Sequence, residues 1–227
     1  MGEAGMESSH FKLLEFSSRE LLVDALARKI ITALSLAIEQ KGFATLLLSG
    51  GSTPKKLFAK LSNTALPWEN VRIGLVDERC VSLQSEASNE RLVRDNLLIN
   101  AAESAQFYGL MELDSAFEDL FESPDVVVLG MGLDGHTASF FPEDSELGSA
   151  LNGEEFFYKT TAPTEPCERI TLSRGFLLGA KNLLLHIEGI EKKTVFTKAT
   201  HAQTIECYPI KAMMQQTTPL LEVYYAD

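Results

Sequence analysis

The chain has 227 residues, 45% hydrophobic and 23% charged, the balance of a soluble globular protein and not of a disordered or fibrous one. Its formal net charge of −12 argues against nucleic acid as a partner, because phosphate backbones select basic faces. Apolar runs are short and interrupted, well below the ~20 residues that span a bilayer, so no membrane partner is expected.

The opening MGEAGMESSHFK carries acids and no apolar h-region, so no secretory signal is expected, and the sixth position lacks the Ser or Thr of a myristoylation motif. A helix is predicted over 18–40. Ser17 and Glu20 suggest a capping box, apolar residues recur at helical spacing through Ile38, and Gly42 stops it. Ala44–Leu48 reads as a buried strand between Gly42 and Gly50. Gly50-Gly-Ser-Thr-Pro54 then leads into the helix KKLFAKL, with Pro54 in its first turn. Val71–Val76 is a second strand, ending at Asp77-Glu-Arg79, and Ser88–Leu98 reads as a helix. Asp125–Leu129, Ile170–Leu172 and Asn182–Ile187 read as strands, Glu191–Ala199 as a helix and Glu222–Tyr225 as a final strand. Strands alternating with helices predict right-handed βαβ units and a mainly parallel sheet covered on both faces. No repeat or linker divides the chain, so residues 1–227 are expected to form a single domain. Cys80, Cys167 and Cys207 are odd in number and widely spaced, which suggests neither a disulfide framework nor a zinc site; a reducing cytoplasm is the expected setting. Neither the histidines nor the cysteines show ligand spacing, so no metal is expected.

Ligands in such folds bind beyond the carboxyl ends of the strands, and the polar, glycine-rich segments lie there. The first is Ser49-Gly-Gly-Ser-Thr-Pro54. Gly50, Gly51, Ser52 and Thr53 stand where a helix begins, and free N–H groups with hydroxyl donors suit a phosphate or sugar oxygen. Taken alone, the segment is equally a tight turn with a Ser/Thr cap, and it lacks the Walker A spacing. The second is Asp77-Glu-Arg79, where arginine can grip a phosphate with two parallel hydrogen bonds. Alone it reads as a solvated turn with a local ion pair. The third is VLGMGLDGHTASFFP, 128–142, where a buried run breaks through Gly130, Gly132 and Gly135 into a loop bearing Asp134 and His136. Glycine lets backbone approach a ligand closely, and histidine transfers protons near neutrality. Asp134 is placed to orient the imidazole or to contact substrate hydroxyls. Arg169 and Lys192 are cations at a strand start and a helix start that fit the same picture, though each alone reads as a surface charge. His186 reads as a satisfied core or near-core histidine, His10 and His201 as surface residues. Lys55 and Lys56 oppose their helix dipole, so one of them is a candidate to face an anion, a solvated face being the other reading.

SGGSTPKKLF, DERCV, SNERLVRDNLL, LGMGLDGHTASFFP, RITLS and HIEGIEKK, in this order, resemble the 6-phosphogluconolactonase family, which shares a superfamily with glucosamine-6-phosphate deaminases. The likeness runs from about Ser49 to the helix after Lys192. It implies an α/β three-layer sandwich with a mainly parallel, modified Rossmann-like sheet, and a small-molecule sugar-phosphate lactone as partner. The deaminases resemble DGHIAFNEP in the histidine loop, with a carboxylate just before the proline; here that residue is Phe141, and Glu143 lies past the proline. Arg79 stands where deaminases carry an aromatic residue. Both positions favour a lactonase. Ser82 replaces a common proline and should alter only its loop.

The implied reaction is hydrolysis of 6-phospho-D-glucono-1,5-lactone, the second step of the oxidative pentose phosphate pathway. His136 would be general base for water, and Asp134 would orient it or hold a hydroxyl. Arg79, Arg169 and Lys192 would hold the phosphate, and glycine-loop N–H groups would stabilise the oxyanion. No cofactor and no covalent intermediate are needed, and a monomer is expected. The alternatives are an aldose–ketose isomerase/deaminase, with Asp77 as proton shuttle and His136 as ring opener, and a non-catalytic sugar-phosphate-binding regulatory domain.

Overall fold

The structure is a computed structural model and describes residues 4–7, 10–111, 115–216 and 218–227. The opening segment read for a signal therefore lies partly outside the described residues. In chain order the elements are β1 Ala4–Glu7, β2 Phe11–Phe16, α1 Arg19–Lys41, β3 Ala44–Leu48, α2 Lys55–Ser62, β4 Val71–Leu75, β5 Asp77–Arg79, α3 Asn89–Asn96, β6 Gln106–Tyr108 and α4 Ser115–Phe121. They continue with β7 Val126–Leu129, α5 Leu147–Asn152, β8 Phe157–Thr161, β9 Glu168–Leu172, α6 Arg174–Leu178, β10 Leu183–Glu188, α7 Ile190–His201 and β11 Leu221–Ala226.

Helix α1 forms because Leu22, Leu26, Ile30 and Leu34 recur every fourth residue and bury one stripe against β3, β11 and β2. Each such leucine contributes about 1.5–3 kcal/mol when fully buried. The cap is one residue later than expected. Ser18, in extended conformation, accepts from the Leu21 N–H, so Ser17 is not the cap. Gly42 ends the helix in the left-handed region at φ 82°, and its N–H bonds the Ile38 carbonyl.

The main sheet has eight strands in the order β1-β2-β11-β10-β7-β3-β4-β6. All neighbours are parallel except β1, which runs antiparallel to β2 at the edge. Every residue of β3 and β7 is buried, as strands covered on both faces must be. The α/β architecture with a mainly parallel sheet is thus as expected. Two segments differ from expectation. Asp77-Glu-Arg79 is itself a short strand, and Ile170–Leu172 does not join the main sheet. They pair antiparallel, and with β8 form a separate three-stranded sheet, β5-β9-β8. Pairing across this distance in sequence leaves no local signature. No helix among the described residues is long and apolar enough to cross a membrane.

Candidate active site

A cleft of about 220 Å³ opens at the carboxyl ends of the central parallel strands. Gly50, Gly51, Ser52, Thr53, Asp77, Arg79, His136 and Lys192 all line it. Two further residues expected in the site, Asp134 and Arg169, are not part of that lining; Asp134 meets His136, and Arg169 pairs in register with Arg79.

The loop after β7 folds back on itself. Thr137 Oγ1 donates to the Gly130 carbonyl at 2.8 Å, and the Gly132 N–H donates to the His136 carbonyl at 2.9 Å. This turn brings Asp134 Oδ1 to 2.6 Å from His136 Nδ1 and 3.1 Å from the His136 N–H. A side chain at position 132 could not be accommodated: its Cβ would lie 2.3 Å from His136 Nδ1 and 2.5 Å from Asp134 Oδ1. Burial acts to raise the Asp134 pKa, but the hydrogen bond and charge of His136 outweigh it and hold the carboxyl below its ordinary value. The carboxylate accepts the Nδ1 proton, so in the neutral ring Nε2 carries the lone pair. Phe141 packs on the imidazole, ring centroids 4.6 Å apart, and the Arg169 guanidinium lies 5.9 Å from the same phenyl ring. Ala138, next along the loop, lines the cleft with φ of 48°, a left-handed conformation that a non-glycine residue adopts at a cost of about 1–2 kcal/mol.

The small antiparallel sheet supplies two cations. Its register sets Arg79 opposite Arg169. Arg79 donates to the Ala87 carbonyl at 2.6 Å, and Arg169 is buried. Burial, and then the charge of Arg79, lower the pKa of Arg169. Two adjacent guanidiniums create a field that an anion would relieve. Across the cleft, Lys192 in the first turn of α7 reaches Thr53 Oγ1 at 3.3 Å, and burial lowers its pKa. In a chain of net charge −12, cations from three separate elements are thus gathered around this cleft. Lys55 and Lys56 are not among them. Both are exposed, neither lines the cleft, and Lys56 pairs with Glu20 at 3.4 Å.

Three residues at the site went unassigned in the sequence. Ser139 donates to Asp77 Oδ2 at 2.7 Å and fixes that carboxylate. Asn89 lines the cleft, donates to the Asp77 carbonyl at 2.9 Å, and has its Oδ1 pressed against Gly50, where a Cβ would come within 1.8 Å of it. Its only sequence signal is the SN of SNERLVRDNLL. Glu78 secures the turn from behind, accepting from the N–H groups of Arg79, Asn89 and Glu90 and from Ser88 Oγ. Burial still keeps its pKa above the ordinary value, the hydrogen bonds limiting the rise. His186 is buried and lines the cleft, but it is not the satisfied histidine expected: Nε2 meets Glu188 at 3.0 Å, and Nδ1 has no partner. Among the described residues, no group of three or more His, Cys, Asp or Glu is placed to hold a metal ion.

A parallel α/β sheet with a cation-bearing cleft and a carboxylate-held histidine at its strand ends has the form of a small-molecule enzyme site. Residues 17–221 match the model of the glucosamine-6-phosphate isomerases/6-phosphogluconolactonase family, and the chain belongs to that family. It is 39% identical over 224 residues to a 6-phosphogluconolactonase of Rhizobium meliloti, covering 93% of this chain and 97% of that one. A 6-phosphogluconolactonase of Mesorhizobium japonicum is 37% identical across the full length of both chains. The crystal structure of a 6-phosphogluconolactonase from Shewanella baltica superposes with a TM-score of 0.87 at 40% identity, covering 95% of this chain and 97% of that one.

Proposed function

We propose that this chain hydrolyses 6-phospho-D-glucono-1,5-lactone to 6-phospho-D-gluconate, as a monomeric cytoplasmic enzyme acting in the second step of the oxidative pentose phosphate pathway. The observation that carries the reading is His136, in the cleft with Nδ1 held by Asp134 at 2.6 Å and with Phe141, not a carboxylate, against its ring. Nε2 accepts a proton from water as the water oxygen bonds to the lactone carbonyl carbon. Charge then collects on the carbonyl oxygen, for which the N–H groups of the glycine loops are the donors. As the tetrahedral carbon collapses, its bond to the ring oxygen breaks and His136 returns the proton to that oxygen. The new carboxylic acid ionises into solvent. Arg79 and Lys192 bind the phosphate, Arg169 reinforces Arg79 from behind, and Asp77, Ser52 and Thr53 receive sugar or phosphate oxygens. The phosphate grip positions the ester for His136.

The test supplies lactone freshly made by glucose-6-phosphate dehydrogenase and follows its decay with and without the protein, against spontaneous hydrolysis. A lactone lifetime unchanged by the protein would sink the reading. Ammonia release from glucosamine 6-phosphate would instead support the isomerase branch of the family, which Phe141 argues against because it offers no acceptor to a ring-opening histidine.

A further inference from the structure

Strand β10 runs through the middle of the sheet, and Leu183, Leu184, Leu185 and Ile187 are fully buried. His186 is the one polar residue between them, itself only 2% exposed. A buried polar group in such a strand is costly unless every donor and acceptor finds a partner. One nitrogen is provided for. Glu188, two residues on and so on the same face of the strand, meets Nε2 at 3.0 Å. The hydrogen bond from His186 is the leading cause that holds Glu188 below the ordinary carboxylate pKa, with Arg19, 3.5 Å away, adding to it. Glu188 is thus an acceptor, and Nε2 must be the nitrogen that bears the proton. In the neutral ring Nδ1 is then a lone pair without a donor.

The position of this orphan is informative. Among the described residues, three buried side-chain polar atoms lack a partner, and two of them belong to residues that line the same cleft, Asn89 and His186. The Asn89 oxygen is jammed against the Gly50 backbone. His186 is placed differently. Leu185 pairs with Leu129, so His186 lies level with Gly130, the residue without a side chain that opens the catalytic loop. The imidazole thus stands beside the backbone of Gly130, which lines the same cleft.

We infer that His186 is a further substrate-binding residue, whose Nδ1 accepts a hydrogen bond from a hydroxyl group of the bound sugar phosphate. A phosphate dianion has no proton to give to this lone pair, whereas a sugar hydroxyl does. The Glu188–His186 pair thus selects a hydroxyl at one ring position, while Arg79 and Lys192 select the phosphate. This inference rests on the reading of the site as a sugar-phosphate cleft.

Binding separates it from turnover. Calorimetry would measure 6-phospho-D-gluconate and its 2-, 3- and 4-deoxy forms on the wild type, His186→Leu and His186→Asn, with Tm recorded for each. On the wild type, one deoxy form is expected to bind about 3–10-fold more weakly than its parent through loss of this bond. His186→Leu should abolish that one difference and leave the others. His186→Asn, which restores a polar atom near the Nδ1 position, should bring it back. If His186→Leu weakens all four ligands equally, or leaves the discrimination intact, the inference is overturned. If His186→Leu does not fold, His186→Phe, which also lacks an acceptor, takes its place: loss of that one difference in a folded variant supports the role, and every affinity ratio intact overturns it. A wild type that discriminates yet does not shorten the lactone lifetime removes the proposed reaction and leaves His186 in place.

Discussion

Strand β7 is bracketed by two aspartates that the protein treats in opposite ways. Asp125, just before it, is 2% exposed and surrounded by donors. Thr45 gives it both its N–H at 2.8 Å and its hydroxyl at 3.0 Å, and Lys41 and Lys181 each reach it at 2.9 Å. The exchange is reciprocal, since the Asp125 N–H donates to Thr45 Oγ1 at 2.9 Å. Asp134, five residues past the strand's end, keeps 39% of its side chain exposed and has one side-chain partner, His136. Burial acts to raise both pKa values, and partners pull both below the ordinary value. What differs is the partner. Lysine ammoniums and a backbone N–H stay as they are near neutral pH, so Asp125 fastens β3 to β7. Histidine can gain and lose a proton near neutrality, so Asp134 holds a group that can change state. The amino end of the sheet is tied down, and the carboxyl end is left with groups whose bonds are incomplete.

The comparison is broken most sharply at its reactive end. His136→Ala should lower lactonase kcat by roughly 10²–10⁴ with Tm unchanged; near-wild-type turnover would remove His136 as the base. Asp134→Asn should cost on the order of 10²-fold in kcat, the scale of a small misplacement of a catalytic group. An amide that donates to Nδ1 would also leave the proton on Nε2, the tautomer that cannot act as base. Equal kcat in this variant would mean that Asp134 does not orient the ring. Arg79→Ala should act on KM, raising it about 10–100-fold for the loss of charge-assisted bonds made in ground and transition state alike. A fall in kcat at constant KM would move Arg79 to the reacting centre.

The same contrast explains what can be read from the chain. Ala44–Leu48 and Asp125–Leu129 are legible because a parallel strand buried on both faces is an unbroken apolar run. Asp134 and His136 are legible as a pair because they lie two positions apart and glycines surround them. The partners of Asp77 are not, because Ser139 lies 62 residues away from it in sequence, and nothing local marks it. The second sheet is hidden for the same reason: Asp77 pairs with Thr171 only once the chain has folded. His186 reads as a core residue, which its burial supports; its empty Nδ1 depends on which neighbours fail to reach it. Asp125 gives no sign of its role, since Thr45 is 80 residues distant.

The smallest expected effect is at the tied end. Asp125→Asn keeps the shape and an acceptor for the Thr45 N–H but removes the charge. Breaking a buried ion pair costs about 3–5 kcal/mol where a charge is left stranded. Here the lysine side chains are 30% and 50% exposed and can turn to water, so the loss should be nearer the extra strength of charge-assisted over neutral hydrogen bonds, roughly 1–2 kcal/mol. For a chain of 227 residues that is about 2–4 °C in Tm for each kcal/mol, with kcat unchanged. The sign of the pH dependence follows from the direction of the shift. The folded Asp125 has a pKa below the ordinary 3.8, so its contribution is full above the unfolded value and is lost as pH falls through the folded one. Protonated Asp125 then resembles the amide of the variant in charge, and the two melting curves should converge below about pH 4. A Tm gap that stays constant from pH 7 to pH 3 would show that the lysine pairs contribute nothing, and that Asp125 holds the strands by its neutral hydrogen bonds alone.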